Sequence, residues 1–118
     1  DREQKMTGAG INDAAVSARV RAAVSAACGQ AALKDCAPWY ASETFSRYLE
    51  RWPGALGLLG IRNESLGSGA PHHNAAFDVD EAVFALGAAA ELAFVLQSED
   101  GGLFLLTSAL IKDTAWLL

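Results

Sequence analysis

Near the middle of the chain lies the run Ala55-Leu56-Gly57-Leu58-Leu59-Gly60-Ile61, in which no residue is polar. Turn-forming residues bound it, because Pro53 and Gly54 precede it and a loop rich in Asn, Ser and Gly follows over residues 62–70. A short apolar run between turns predicts a strand buried on both faces, as in a parallel sheet flanked by helices. The run therefore predicts an α/β fold.

A helix is predicted upstream of this strand, beginning after Asn12 or Asp13, since either side chain can cap the free N–H groups of the first turn. Gly29 occupies the position where a helix commonly ends in a left-handed residue. Residues 1–11 are expected to form a linker or the remnant of a strand. The apolar positions recur at helical spacing and predict a buried stripe of Val16, Val20, Ala23, Val24 and Ala27.

A second helix is predicted between Ser42, as its N-cap, and Pro53-Gly54, which would end it. Its large apolar residues recur at spacings of three and four and would share one face: Phe45, Tyr48, Leu49 and Trp52. Large apolar side chains are usually buried, so this face is expected in the core rather than as a platform for a ligand.

A third helix is predicted over residues 79–97, because Asp78 and Glu81 form a variant of the capping box. Between residues 82 and 96 only Glu91 is charged, so the helix is expected to be largely buried. Gly87 lowers helix propensity by about 1 kcal/mol relative to Ala, which indicates close packing against a neighbour. Residues 98–118 are expected to form an apolar tail of unknown role.

These elements supply one strand, or two if residues 4–11 form another. A strand that is apolar on both faces needs partners on its edges and faces alike. The sequence therefore predicts a helix-rich part of a helix-flanked sheet domain, incomplete on its own.

Composition limits the classes of function. The 118 residues fit one domain, and 52% hydrophobic with 19% charged residues is typical of globular proteins. A net charge of −5 with scattered Lys and Arg argues against a nucleic-acid partner. No apolar run approaches the roughly 20 residues of a membrane span, and the polar start lacks the apolar core of a signal peptide. Two cysteines without a C-x-x-C pair favour a reduced, cytoplasmic protein.

Three blocks of sequence carry a resemblance. The first opens with Asn12-Asp13, the second is Ala-Ser-Glu-Thr-Phe at residues 41–45 in a segment ending in Pro53-Gly54, and the third is His-Asn-Ala-Ala-Phe-Asp-Val-Asp-Glu-Ala at residues 73–82. In this order they resemble the C-terminal part of the metal-dependent amidohydrolases, which include aminoacylase, hippurate hydrolase and indole-acetyl-amino-acid hydrolase-like metallopeptidases. The resemblance implies that residues 12–97 are the C-terminal part of such a catalytic domain.

The resemblance also implies chemistry. The family hydrolyses amide bonds of N-acyl amino acids or small peptides with a divalent metal, here Zn, Mn, Co or Ni. His73 stands at the position of a metal ligand, and His72 is the fallback if the register shifts by one residue. Glu43 matches the Glu of the family's Gly-Ser-Glu-Asp-Phe block and would line the site, in a role left open. No other cofactor-binding residue is implied.

The chain also departs from the family pattern. Thr44 replaces an Asp of the second block, and Ala75 replaces a Pro beside the histidine. The family's other metal ligands and general base lie in an upstream His-x-Cys-Gly-His-Asp-x-His block, a Glu-Glu pair and a further His, none of which this sequence contains. A catalytic zinc needs three protein ligands, so the chain alone is expected to bind metal weakly or not at all and to be inactive.

Alternatives remain open. Asp78, Asp80 and Glu81 are expected to cap the third helix rather than bind metal, because acids are stabilised in a first helical turn. In place of a hydrolase fragment, the chain would be a non-enzymatic helical interaction module, with exposed apolar faces forming a homo-oligomer, or a truncated remnant without function. Whether the chain itself is an enzyme is left undecided.

Overall fold

The computed structural model describes residues 8–35, 37, 43–97, 101–112 and 116–117. In chain order its helices and strands are α1 (Ala14–Cys28), β1 (Leu33–Lys34), α2 (Ser46–Leu49), β2 (Gly54–Arg62), α3 (Val83–Gln97), β3 (Leu103–Lys112) and β4 (Trp116–Leu117). The strands form one four-stranded sheet in the order β1-β4-β2-β3, and the predicted α/β class is confirmed.

The centre of the fold is a β–α–β unit formed by β2, α3 and β3. β2 and β3 run parallel, with Gly54 opposite Leu103 and a register shift between Gly60 and Arg62. Parallel neighbours need a crossover connection, and α3 provides it. Residues 98–118, expected as a tail, therefore contain the strand that pairs with β2. Residues 8–11, the described part of the predicted linker or strand remnant, are not in a strand.

β2 is buried on both faces, as predicted. Ala55, Leu59 and Ile61 belong to the hydrophobic core, whereas Leu58 points to the opposite face and is also buried. The core-facing side is covered by two helices whose buried side chains meet it: Val16, Val20, Ala23 and Val24 from α1, and Val83, Ala90 and Phe94 from α3.

α1 agrees closely with its prediction. Asp13 is the N-cap, and its Oδ1 accepts a hydrogen bond from Val16 N at 2.9 Å. Gly29 ends the helix with φ +92°, and its N–H donates to Ser25 O at 3.0 Å. Of the expected buried stripe only Ala27, in the last turn, is exposed.

Asn12, the other residue predicted as a possible cap of α1, bonds to the sheet instead. Its Nδ2 donates to Leu56 O at 3.0 Å and its Oδ1 accepts from Leu56 N at 2.8 Å. These backbone groups lie on the edge of β2 that faces away from β3, where β4 pairs only with Leu58 and Leu59. The Asn12 amide thus takes the place of a neighbouring strand and joins the start of α1 to the sheet.

The predicted core position of the aromatic face on the second helix is wrong. α2 is a single turn, and Tyr48 and Trp52 are each about half exposed. The rings pack on one another, with centroids 6.1 Å apart for Phe45–Tyr48 and 6.3 Å for Tyr48–Trp52. A one-turn helix offers little surface to a sheet, and here its buried side is Ser46. The proposed N-cap, Ser42, lies outside the described residues.

α3 begins at Val83 rather than at residue 79. Asp78 Oδ1 accepts from Val79 N at 2.8 Å and Asp80 Oδ1 accepts from Ala82 N at 3.1 Å, so both acids organise turns before the helix. Asp80 N donates to Ile61 O at 3.1 Å, which commits this backbone group to β2 instead of a helical turn.

The expectation that the third helix is largely buried is also wrong. Only Val83, Gly87, Ala90 and Phe94 are buried, because the described chain covers α3 on one side alone. Gly87 does mark a close approach, since a Cβ at this position would lie 3.2 Å from Leu59 Cδ2. Within the described ranges no helix is long and apolar enough to cross a membrane.

We expect Asn12→Ala to lower the free energy of unfolding by about 1–3 kcal/mol, because it leaves the N–H and C=O of Leu56 without their side-chain partner. Urea denaturation measures this. Asn74→Ala is the matched control, since its amide oxygen accepts only an exposed local bond from Ala76 N. Equal stability of the two variants would contradict the role of Asn12.

We expect Gly87→Val to lower the free energy of unfolding by about 1–3 kcal/mol, because the added atoms overpack the contact with Leu59. Ala18→Val, at an exposed position within α1, is the control and should change stability by less than about 0.7 kcal/mol. Thermal denaturation of both variants followed by circular dichroism tests the difference, and a Gly87→Val protein as stable as the parent chain would refute the close packing.

Candidate functional site

The loop over residues 63–80 joins the carboxyl end of β2 to α3 and carries both histidines. Its two ends are tied together, because Asn63 Nδ2 donates to Asp80 Oδ2 at 2.9 Å. Ser68 is fully buried at the loop base, where its Oγ accepts from Asn63 N at 2.7 Å and donates to Ile61 O at 3.2 Å. Ligands of open α/β sheets bind outside the carboxyl ends of the strands. The loop is thus fixed at the edge where such sites form.

His72 and His73 are both exposed within this loop, but their surroundings differ. The ring of His72 packs on Phe77, with centroids 4.9 Å apart. His73 has φ +62°, a left-handed conformation that is uncommon for a residue with a side chain. Asn74 shapes the turn that follows, since its Oδ1 accepts from Ala76 N at 2.9 Å and its carbonyl from Phe77 N at 3.0 Å.

Glu43 is half-buried and acts locally at the start of α2. Its Oε1 accepts from Phe45 N at 3.4 Å, and its carbonyl accepts from Ser46 N at 3.1 Å. α2 packs against the amino end of β2, where a Cβ on Gly54 would lie 2.7 Å from Leu49 Cδ2. The segment of Glu43 is therefore attached at one end of β2 and the histidine loop at the other.

The described residues do not fit a divalent metal as a complete site. Among them, no three or more His, Cys, Asp or Glu side chains are grouped so that they could hold a metal ion. The nearest acids along the loop are engaged, because Asp80 accepts through both carboxylate oxygens and Asp78 through one. The sequence predicted these acids as caps in the first turn of the third helix, whereas Asp78 and Asp80 organise turns that precede α3.

Two further features lie outside the motifs. An open groove of about 590 Å³ runs beside α2 and is lined by Arg47, Tyr48, Arg51 and Trp52, among others. In the sequence this groove corresponds to the repeated pairs Arg47-Tyr48 and Arg51-Trp52. Cys28 is half-buried, and this burial raises the pKa of its thiol, which disfavours a nucleophilic thiolate.

Comparison with known proteins gives two partial matches. No family model matches the chain, and no solved structure matches it. Thermostable carboxypeptidase 1 and thermostable carboxypeptidase 2 of Saccharolobus solfataricus are each 47% identical to it over 53 residues. The match covers 45% of this chain but 14% of each carboxypeptidase. The chain is therefore similar to a small part of two proteins named as peptide hydrolases.

Proposed function

We propose that the chain is the C-terminal part of the catalytic domain of a metal-dependent amidohydrolase that cleaves N-acyl amino acids or small peptides. The observation that carries this proposal is the 47% identity to two carboxypeptidases over 53 residues. A carboxypeptidase hydrolyses the same class of bond, the amide. The three sequence blocks support the same assignment.

His73 is the residue we assign to the metal. It lies in a loop fixed at the carboxyl end of β2, the edge that α/β proteins use for ligands. Its left-handed backbone holds an exposed imidazole in a conformation that costs about 1–3 kcal/mol, and strain of this kind clusters at functional sites. His72 remains the fallback, but its ring already packs on Phe77.

The remaining parts of the site would come from the rest of the parent protein. A bound divalent metal, Zn, Mn, Co or Ni, would polarise the substrate carbonyl and lower the pKa of a bound water. A role for Glu43 in this site stays a prediction, because its segment is attached at the end of β2 opposite the histidine loop, where its carboxylate accepts from the Phe45 N–H. The described residues supply no candidate general base beside His73, so on this chain alone we assign binding and positioning roles only.

A second candidate function is a non-enzymatic interaction module. The exposed apolar residues of α3, including Leu92 and Leu96, favour it, because contiguous apolar surface marks interaction sites. The two candidates differ in their response to metal. A non-enzymatic module binds no stoichiometric metal in any context. The hydrolase part binds metal stoichiometrically when the rest of its domain is present.

We expect the purified 118-residue chain to hydrolyse neither an N-acyl amino acid nor a dipeptide in the presence of Zn²⁺, Mn²⁺, Co²⁺ or Ni²⁺. The reason is that one histidine cannot replace the three protein ligands of a catalytic metal. Release of the free amine measures the rate, with the His73→Ala chain as control. Hydrolysis that disappears in His73→Ala would show that the chain is catalytically complete and would overturn this expectation.

In the longer parent protein, we expect His73→Ala to weaken metal affinity at least about 10-fold, since loss even of a group supporting a ligand has effects of about 10–100-fold. His72→Ala is the matched control and should change affinity less. Competition with a chromophoric chelator measures both. An unchanged metal affinity in His73→Ala, together with a large loss in His72→Ala, would move the assignment to His72.

A further inference from the structure

α3 has a second apolar face opposite the one that packs on the sheet. Phe84, Leu92, Val95 and Leu96 are 56%, 58%, 67% and 75% exposed. At 100° per residue, these positions and two alanines fall on one side of the helix. We name this surface the outer face of α3, and it consists of Phe84, Ala85, Ala88, Leu92, Val95 and Leu96.

Charge is excluded from the outer face. Glu91 is the only charged residue within Val83–Gln97, and its position on the helix is at the border between the outer face and the buried side. The exposed apolar side chains together present roughly 500 Å² of apolar surface, within the range of the largest patches on monomeric proteins, which are often functional. A helix with this pattern is stable when both of its sides are covered.

The outer face is not positioned to receive more of the same sheet. The buried side of α3 already lies against β2 and β3. Gly87 approaches the side chain of Leu59 on β2, and the ring of Phe94 packs edge-to-face on Phe104 of β3 with centroids 5.5 Å apart. In layered α/β domains a helix on a sheet is an outer layer, and additional strands extend the sheet at its edges. A partner that covers the outer face therefore does not belong to the sheet on which α3 packs.

The order of side chains along this face makes it complementary to itself. The two alanines, Ala85 and Ala88, lie in the first half of the face, whereas Leu92, Val95 and Leu96 lie in the second half. In an antiparallel pair related by a two-fold axis, Phe84 is level with Leu96 of the second copy and Ala88 with Leu92 of the second copy. Each alanine is thus level with a larger side chain of the second copy, which permits a close approach, and a Phe84–Leu96 pair lies at each end of the contact.

We propose that two copies of this chain associate through the outer face of α3 as an antiparallel helix pair. Two such faces together bury on the order of 1,000 Å², about the lower limit for a specific interface. The two Glu91 carboxylates stay at the border of the contact, where water reaches them. This inference is independent of the proposed hydrolase activity, because it depends only on α3 and its packing.

Sedimentation velocity of the 118-residue chain over about 5–200 μM tests the proposal. We expect a mass near twice the 12.4 kDa of one chain. Leu92→Glu and Val95→Glu each place a carboxylate in the contact and should raise the dissociation constant at least tenfold, with unchanged circular dichroism because both positions are solvent-exposed in the single chain. Leu66→Glu is the matched control, at a 64% exposed leucine away from α3, and should leave the mass unchanged.

Cross-linking tests the antiparallel order. In a background with Cys28 and Cys36 changed to Ser, a mixture of Phe84→Cys and Leu96→Cys chains should join through a short bifunctional maleimide. Phe84→Cys alone should not, because its two thiols would be about 18 Å apart along the helix axes. A monomer at every concentration, or an oligomer that Leu66→Glu disrupts as strongly as Leu92→Glu, would overturn the proposal. Efficient linkage of Phe84→Cys alone would overturn the antiparallel arrangement.

Discussion

The backbone hydrogen bonds of β2 are the constraint on which the rest of this structure depends. A buried N–H or C=O without a partner destabilises a fold by about 1–3 kcal/mol, and β2 is buried on both faces. β3 satisfies one edge, whereas the Asn12 amide and the two residues of β4 serve the other. The same requirement places the neighbouring elements. The hydrogen bond that Asp13 N donates to Gly54 O fixes the start of α1 beside β2. The one that Asp80 N donates to Ile61 O fixes the segment leading into α3.

Features with a local cause could be predicted from the sequence. The apolar run of β2, the cap and end of α1, and the close packing at Gly87 each follow from residue type and spacing within a few positions. The pairing of β3 with β2 could not be predicted, because it joins residues about 50 positions apart. The apolar run after Gly101-Gly102 carries a local strand signal, but it was assigned to a tail. The exposure of Tyr48, Trp52 and the outer face of α3 was missed for a related reason. Periodicity identifies an apolar face but not the surface that covers it.

In the candidate site, too, features with a local cause could be predicted from the sequence and features set by tertiary packing could not. The motif identified the histidine loop, and the structure adds what holds it: Ser68 buried at its base and Asn63 bonded to Asp80. The left-handed backbone of His73 and the packing of His72 on Phe77 have no clear sequence signature, yet they are what separates the two histidines. Glu43 is attached near the opposite end of β2. A metal site that uses both would need elements outside this chain, consistent with the small share of each carboxypeptidase that the match covers.

The central claim, that His73 is one ligand of a larger metal site, is tested most directly by sequencing the transcript upstream of the codon for Asp1. We expect an open reading frame, continuous with this chain, that encodes the His-x-Cys-Gly-His-Asp-x-His block and the Glu-Glu pair. A stop codon shortly before Asp1, or a long continuous frame without these residues, would contradict the claim.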